Sequence, residues 1–275
     1  YDLKIKKARI YYNLQSILKK RIDKVEALDL NIDFNKNDIK IKASASLQLD
    51  IPAKTIDYIK LNVSSLSTSL FRIEGITLNA EQAKDDGEFY IKAVNYNKFK
   101  LADVTGKSEL KDKLLRISPL SVSFLGGNVN GKFSITLDQD MDYNLRLNTQ
   151  GIEIKRFVDD AELNEKFDMT GSLSGAFYFS GRGRDIKDIK GHLTTDADGG
   201  VLIIKDKTFL ENVAKQSNQS LDIIVESFRN YNYNNGMIGL GMESGNLAMD
   251  MSLDGKSGKR SLAVVLHDFN KEEKP

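Results

Sequence analysis

From Ile39 to Ile51 every odd position is apolar: Ile39, Ile41, Ala43, Ala45, Leu47, Leu49 and Ile51. The even positions are Lys40, Lys42, Ser44, Ser46, Gln48 and Asp50. Successive side chains of a strand point to opposite faces, so this run gathers its apolar groups on one side and leaves the other wet. At about 3.3 Å per residue it predicts a strand roughly 40 Å long, against the five or six residues of an ordinary one. The pattern returns at Val129, Phe133, Ile135 and Leu137, and at Tyr143, Leu145 and Leu147. It returns again at Leu173, Phe177 and Phe179, and at Leu247, Met249, Met251 and Leu253.

Short turn sequences separate the runs: Asn35-Lys36-Asn37-Asp38, Asp85-Asp86-Gly87, Asp138-Gln139-Asp140 and Asp254-Gly255-Lys256. Such connections favour antiparallel meanders, because parallel pairing needs a long crossover. Roughly 14 to 16 strands can be counted on these signals. A sheet of that size coils or curls. The expected fold class is mainly β: a long twisted antiparallel sheet curled into a trough, with two or three short amphipathic helices.

Those helices are expected at three places. Residues 208–228 put Leu210, Val213, Ala214, Ser217, Leu221, Ile224, Val225 and Phe228 on one face, with Thr208 and Glu211 spaced as a capping box. The stretch Ser217-Asn218-Gln219-Ser220 is a weak helix former that interrupts this pattern. Residues 155–164 form a short amphipathic turn around Phe157, Val158, Ala161 and Leu163. Leu14, Ile17, Leu18, Ile22 and Val25 fit a helix whose second half also fits a strand. No linker divides the chain, so residues 1–275 read as one elongated domain. The spacing Gly-x-apolar-x-Gly-x-Phe occurs at Gly127 to Phe133 and at Gly171 to Phe177, and Gly245-Asn246-Leu247-Ala248-Met249 matches its first half. Repetition of this kind suggests a sheet extended strand by strand.

Composition narrows the function classes. Lys and Arg number 40 against 39 Asp and Glu, so there is no basic field to attract nucleic acid. Cysteine is absent, which removes disulfides, thiolate metal sites and cysteine nucleophiles together. No apolar run approaches the roughly 18 residues that span a bilayer. The opening Tyr1-Asp2-Leu3-Lys4 has neither Met nor a signal-peptide core, which is expected of a piece of a longer chain with any anchor upstream.

Candidate chemistry is thin. The two histidines, His192 and His267, lack neighbouring carboxylates or histidines at ligand spacing, so solvated or structural roles are expected. Gly181-Arg182-Gly183 resembles a fragment of a phosphate loop, but Arg184-Asp185 stand where a third Gly and a helix belong, and a basic β-turn is preferred. Asp196-Ala197-Asp198-Gly199-Gly200 lacks the downstream Glu of a calcium loop and reads as a tight turn entering the strand Val201 to Ile204. Asp159, Asp160 and Glu162 lie on the outer side of a short helix. No catalytic residue, metal site or cofactor is expected. What stands out is the surplus of half-apolar strands, whose greasy face needs a cover. About 40 helical residues give roughly 60 Å of helix, long enough for a trough but too narrow to cover it. A closed barrel or two-sheet sandwich would instead bury the face against itself. Met249 and Met251 add adaptable apolar surface.

The run from Ile117-Ser118-Pro119-Leu120 through Gly126-Gly127-Asn128-Val129-Asn130-Gly131 resembles the recurrent segment of AsmA-like proteins. The similarity continues through Leu145 to Ile154, Met169 to Gly175, Gly191-His192-Leu193 and Asp198 to Val201. The ending, from Phe228-Arg229-Asn230-Tyr231 to Leu253-Asp254-Gly255, is similar to the YdbH branch, which also carries a label of dicarboxylate transport. Beyond Gly255 the sequence departs from that branch as Lys256-Ser257-Gly258-Lys259-Arg260. The resemblance is clearest over about residues 100–270. It implies a periplasmic, non-enzymatic protein, anchored upstream in the inner membrane, whose trough carries phospholipid toward the outer membrane. It also implies an outer-membrane or lipoprotein partner at the C-terminal end. The expected lipid-facing positions are Ile39, Ile41, Leu47, Leu49, Val129, Phe133, Ile135, Leu137, Tyr143, Leu145, Leu147, Leu173, Phe177, Phe179, Leu247, Met249 and Met251. Two other readings use the same strands: a structural or assembly factor of the envelope, and a closed β-sandwich that binds a small ligand.

Overall fold

The computed structural model describes residues 2–36, 38–53, 55–69, 71–81, 86–96, 98–183, 185–217, 220–243 and 245–266. The chain divides into two compact units, Tyr1–Val122 and Ser123–Pro275.

The first unit holds β1 (Asp2–Tyr11), α1 (Leu14–Leu18), β2 (Lys24–Lys36), β3 (Ile39–Asp50), β4 (Thr55–Ser67), β5 (Phe71–Glu81), β6 (Asp86–Tyr96) and β7 (Phe99–Lys111). Strand β8 (Leu114–Phe124) crosses the boundary. The second unit holds β9 (Gly127–Thr136), β10 (Asp142–Glu153), α2 (Ile154–Asp160), β11 (Phe167–Met169), β12 (Ser172–Arg182), β13 (Asp185–Thr195) and β14 (Gly200–Ile204). It continues with α3 (Lys207–Ser217), α4 (Leu221–Phe228), β15 (Tyr231–Tyr233), β16 (Asn235–Glu243), β17 (Asn246–Gly255) and β18 (Gly258–Leu266).

Fifteen strands form one antiparallel sheet in the order β1-β2-β3-β4-β5-β6-β7-β8-β9-β10-β12-β13-β16-β17-β18, which does not close into a barrel. The order follows the chain because nearly every connection is a hairpin. Among the described residues the chain leaves the sheet at α1 and where α2, β11, β14, α3, α4 and β15 intervene, and β11-β14-β15 pair there as a small second sheet. Alternation thus produced the long strands it predicted, with β3 covering all but the last residue of the Ile39–Ile51 run. No described helix is long and apolar enough to cross a membrane.

The first unit carries an irregularity that runs straight across four strands. Ser64 in β4 has no partner in β3, where the register shifts between Lys42 and Ala43. Gly75, Lys92 and Asp103 stand at the same level in β5, β6 and β7, each passed over by the regular pairing. Gly75 has φ +64° and Asp103 φ +49°, the left-handed region that bulged strands use. An added Cβ at Gly75 would lie 2.9 Å from the Cβ of Lys92, so a side chain is excluded by space as well as by φ. The line resets the alternation by one residue in each strand. Apolar positions therefore jump by three, from Val63 to Leu66, Ile73 to Ile76, Ile91 to Val94 and Leu101 to Val104, and the paired residues on either side stay apolar.

The helices are shorter than the periodicity suggested. Residues 208–228 form two helices, with the break at Asn218 and Gln219 lying outside the described residues. The cap of α3 is Asp206, whose Oδ1 accepts from the Phe209 amide at 3.1 Å, rather than Thr208. Splitting the helix changes its buried side. Leu210, Ala214, Ile224 and Phe228 are buried, whereas Leu221 and Val225 turn outward. In α2, Ile154 and Val158 are buried and Phe157 is exposed. At the N-terminus only Leu14–Leu18 is helical, with Asn13 accepting from the Ser16 amide as its cap, and the segment from Lys24 is strand.

Candidate functional site

In antiparallel pairing, residues directly opposite share a face, so the registers show what alternation builds. Across β2 to β7 one row runs Leu30, Ala45, Leu61, Leu78, Phe89 and Gly106. The next runs Ile32, Ala43, Val63, Ile76, Ile91 and Val104. Of the expected positions, Ile41 sits between Phe34 and Leu66, Leu47 between Ala27 and Ile59, and Leu49 between Val25 and Ile56. Ile39, at the start of β3, pairs with Lys36 and is exposed. Burial in this unit falls on small residues. Its buried apolar residues are Ala45, Val63, Ala93, Val104 and Val122. The larger chains of the rows, including Leu30, Leu61, Leu78, Phe89 and Ile91, are only half-buried.

The second unit repeats the design. Tyr143 lies between Ile135 and Gly181, Leu145 between Phe133 and Phe179, and Leu147 between Gly131 and Phe177. The last row continues through Gly191 and Leu240 to Met249. Gly191 makes room for its neighbours: a Cβ there would approach the Phe177 ring at 2.9 Å and Leu240 at 3.1 Å. A parallel row runs Val129, Thr149, Gly175, Leu193, Ile238 and Met251. Phe177 and Phe179 stack with ring centres 6.1 Å apart. Leu247 pairs with Met242. Leu137 lies one residue beyond β9 and is exposed.

Here part of the face has a cover. Leu173, Leu193 and Leu253 from the sheet are buried with Ile154 and Val158 of α2, Leu202 of β14, Leu210 and Ala214 of α3, Ile224 and Phe228 of α4, and Tyr231 and Tyr233 of β15. Phe177, Ile238 and Met251 pack against its margin. Two tyrosines pin the small sheet down: the Tyr231 hydroxyl donates to the Leu253 carbonyl at 3.1 Å, and Tyr233 donates to Thr170 O. Phe133, Ile135, Tyr143, Leu145, Leu147, Phe179, Leu247 and Met249 lie outside this core and are half-buried.

The opposite face is polar and tied by charge. Glu26 is buried and accepts from Tyr58 at 2.7 Å and from Tyr11 and Arg9 at 3.0 Å each. These bonds, Tyr58's first, hold its carboxyl below the usual range against the opposing effect of burial. The bond to Glu26 together with burial pushes the Tyr58 phenol up to about 12. Asp142 takes a bidentate pair from Arg182 at 2.7 and 3.0 Å, with Lys187 at 3.3 Å. The turn containing Gly181, Arg182 and Gly183 is thus an ion-paired hairpin end. Asp196 accepts from Ser172 and Ser174 at 2.5 and 2.7 Å and closes the tight turn before β14. His192 sits exposed between Ala176 and Gly239 on the wet side, and His267 lies outside the described residues. Among the described residues no group of three or more His, Asp or Glu could hold a metal ion.

Sequence patterns missed much of the first unit's face. Leu61, Leu78, Phe89 and Ile91 belong to it, but the kink line splits their strands into two half-runs that are out of phase. The legible signal is such a pair of half-runs joined at Ser64 or Gly75. The small sheet was also missed, since β11 and β15 have three residues each.

A family model described as YdbH-like, "Intermembrane phospholipid transport protein YdbH", matches residues 24–266. No curated protein and no solved structure matches the chain. That family is one of lipid transport rather than of enzymes. The match spans β2 to the end of β18, the region in which the apolar rows are built. On that span the chain belongs to the YdbH-like family of intermembrane phospholipid transport proteins.

Proposed function

We propose that the apolar face is a path for phospholipid between the inner and outer bacterial membranes, with acyl chains on the rows and headgroups toward water. The observation that carries this reading is the half-burial of the first unit's large apolar rows, in which only Ala and Val are fully covered. An acyl chain is the cover such rows fit. Each CH₂ removed from water contributes about 0.8 kcal/mol, so one chain laid along the rows gains on the order of 10 kcal/mol. Equivalent apolar positions present small barriers, so movement is passive sliding without a chemical step.

In this reading residues 1–275 act as one segment of a longer periplasmic bridge, anchored upstream in the inner membrane. Of the expected positions, the half-buried Ile41, Leu47, Leu49, Phe133, Ile135, Tyr143, Leu145, Leu147, Phe179, Leu247 and Met249 line the path, with Phe177 and Met251 at the margin of the covered core. Val129 and Leu173, by contrast, are buried, and Ile39 and Leu137 stand exposed at strand ends. A partner of the outer membrane, such as a lipoprotein, meets the C-terminal end. Strand β18 is the last in the sheet order among the described residues, and an edge strand offers backbone groups for such pairing.

The test is a photoreactive side chain at Leu47 or Leu145, with Lys42 on the wet face as control. Irradiation in cells should capture phospholipid at the first two and none at the third. Capture of protein but never lipid at Leu47 and Leu145 would overturn the reading and favour an envelope scaffold.

A further inference from the structure

The hairpin tip that joins β1 to β2 is built inside out. Ser16 is the buried residue of α1, and Leu14 and Leu18 on the same short helix are 75% and 77% exposed. Polar groups turned inward hold the tip together. Asn13 Oδ1 accepts from the Ser16 amide at 2.9 Å. Asp23 accepts from the Ser16 hydroxyl at 2.5 Å and from the Asn13 amide at 2.9 Å. The Arg21 amide donates to Ser16 O at 2.8 Å and the Asp23 amide to Tyr11 O at 3.1 Å, which closes the loop onto its own strand. The apolar chains are left outside: Tyr12, Leu14, Ile17, Leu18 and Ile22 are all exposed. The next hairpin end adds Ile51, also exposed, whose amide donates to Asp23 O at 2.9 Å.

Three cations follow the helix directly, Lys19, Lys20 and Arg21, and all are exposed. The carboxylates nearby are engaged elsewhere. Asp23 takes Ser16 and Asn13, while Lys24 pairs with Asp57 at 2.5 Å and with Asp50 at 4.0 Å. Among the described residues no carboxylate pairs with Lys19, Lys20 or Arg21. Single exposed apolar residues are ordinary on a protein surface, but a contiguous cluster marks a place of contact. The Ser16 network closes the loop without help from the leucines, so the cluster is explained by what it meets outside the chain.

We infer that this tip docks on an anionic phospholipid leaflet, with Leu14, Ile17 and Leu18 in the apolar layer and Lys19, Lys20 and Arg21 at the headgroup phosphates. The inference goes beyond the transport reading, because it sets the first unit on a membrane surface whatever the apolar rows carry. A leaflet presents acyl chains beneath a sheet of negative charge. Interfacial segments match it with an apolar patch bordered by Lys and Arg, and their binding grows with both terms. Long basic side chains reach back to the phosphates while their stems stay in the apolar layer. Tyr12 suits the boundary itself, where amphipathic rings collect. An apolar protein surface would take the leucines but give the three cations no counter-charge, and a free polyanion would do the reverse. The leaflet meets both.

Flotation of the purified chain with vesicles tests this, using phosphatidylcholine alone or an equal mixture of phosphatidylcholine and phosphatidylglycerol. The wild type should float with the mixture and far less with phosphatidylcholine, and added salt should weaken the difference. Leu14→Asp with Leu18→Asp should lower binding by about tenfold or more, as two leucines leave the apolar layer. K19Q, K20Q and R21Q should each lower it by about fivefold, the scale of one basic residue at an anionic surface. Ile39→Asp, an exposed apolar position at the opposite end of β3, should leave binding unchanged. Equal binding to the two vesicles, unchanged binding in the tip variants, or an equal loss in Ile39→Asp overturns the docking. So does a dimer in solution that the double leucine variant dissociates, since a second copy would then be the cover. Uptake of lipid into the chain without flotation overturns the docking and leaves transport standing, whereas flotation without uptake does the opposite. The wild-type preference between the two vesicles holds as a test even where a variant does not fold.

Discussion

The two units use one strand pattern and differ in what lies on it. In the first, the buried apolar residues are Ala45, Val63, Ala93, Val104 and Val122, and no described Leu, Ile or Phe joins them. In the second, the buried set includes Leu173, Ile189, Leu193, Leu202, Leu210, Ile224, Phe228, Tyr231 and Leu253. The difference lies above the sheet and not within it. Three helices and a small sheet cover one end of the second unit's face, while the first unit's described helix is five residues long with Leu14 and Leu18 at 75% and 77% exposure. Alternation alone therefore makes a face. Whether that face becomes a core depends on whether the chain also encodes a cover.

Truncation on the two faces should break this symmetry most visibly. Leu253→Ala removes a side chain that is 1% exposed and should cost about 3 kcal/mol in urea denaturation, by lost transfer energy and the cavity left behind. Leu61→Ala removes a half-buried one without a cover and should cost about 1 kcal/mol or less in the lipid-free protein. Equal costs would mean that the first unit's rows are packed as a core, and the contrast between the units would fall.

A smaller effect is expected at the kink line. Gly75→Ala puts a side chain at φ +64°, 2.9 Å from Lys92, and should cost about 1–2 kcal/mol by the same measurement. Restoration of regular alternation in β5, visible as a changed amide-exchange pattern at Ile73 and Ile76, would show that the irregularity is dispensable.

The smallest effect is expected on the wet face and depends on pH. The Glu26 carboxyl titrates lower in the folded protein than the usual Glu value of about 4.3. Its contribution is therefore present at neutral pH and is lost as pH falls through the lowered value. The difference in Tm between wild type and Glu26→Gln should be full near neutrality and shrink in acid. Tyr58 has the opposite sense: raised to about 12, it contributes below about pH 10 and loses that contribution as pH rises through 12. A Tm difference that does not change between neutral and acid pH would show that the carboxylate is unimportant to the first unit.

Much of the second unit's face was legible in the sequence. Val129, Phe133, Tyr143, Leu145, Leu147, Phe177 and Phe179 keep strict alternation, and hairpin turns bring them into one set of rows. In the first unit only β3 was equally plain, because Ile39 to Leu49 crosses no bulge residue of its own. The neighbours β4 to β7 each change phase in mid-strand, and alternation cannot follow a register that is fixed by a partner strand. The cover was half legible. Helical spacing located Val158, Leu210 and Phe228 but not the break that turns Leu221 and Val225 outward. Arg260 stood in the sequence only as the end of the run that departs from the YdbH branch, since its place on the apolar side follows from its pairing with Leu253.

The line through Ser64, Gly75, Lys92 and Asp103 also sets how this protein can vary in length. On each side of it the wet and apolar positions are counted from a shared level, and a strand that gains or loses one residue there turns half of its side chains inside out. Four strands would need the same edit at once to stay in step. Growth of such a sheet is therefore restricted to its connections and to whole hairpins added at its ends, and the spacing of residues is under as tight a constraint as their identity.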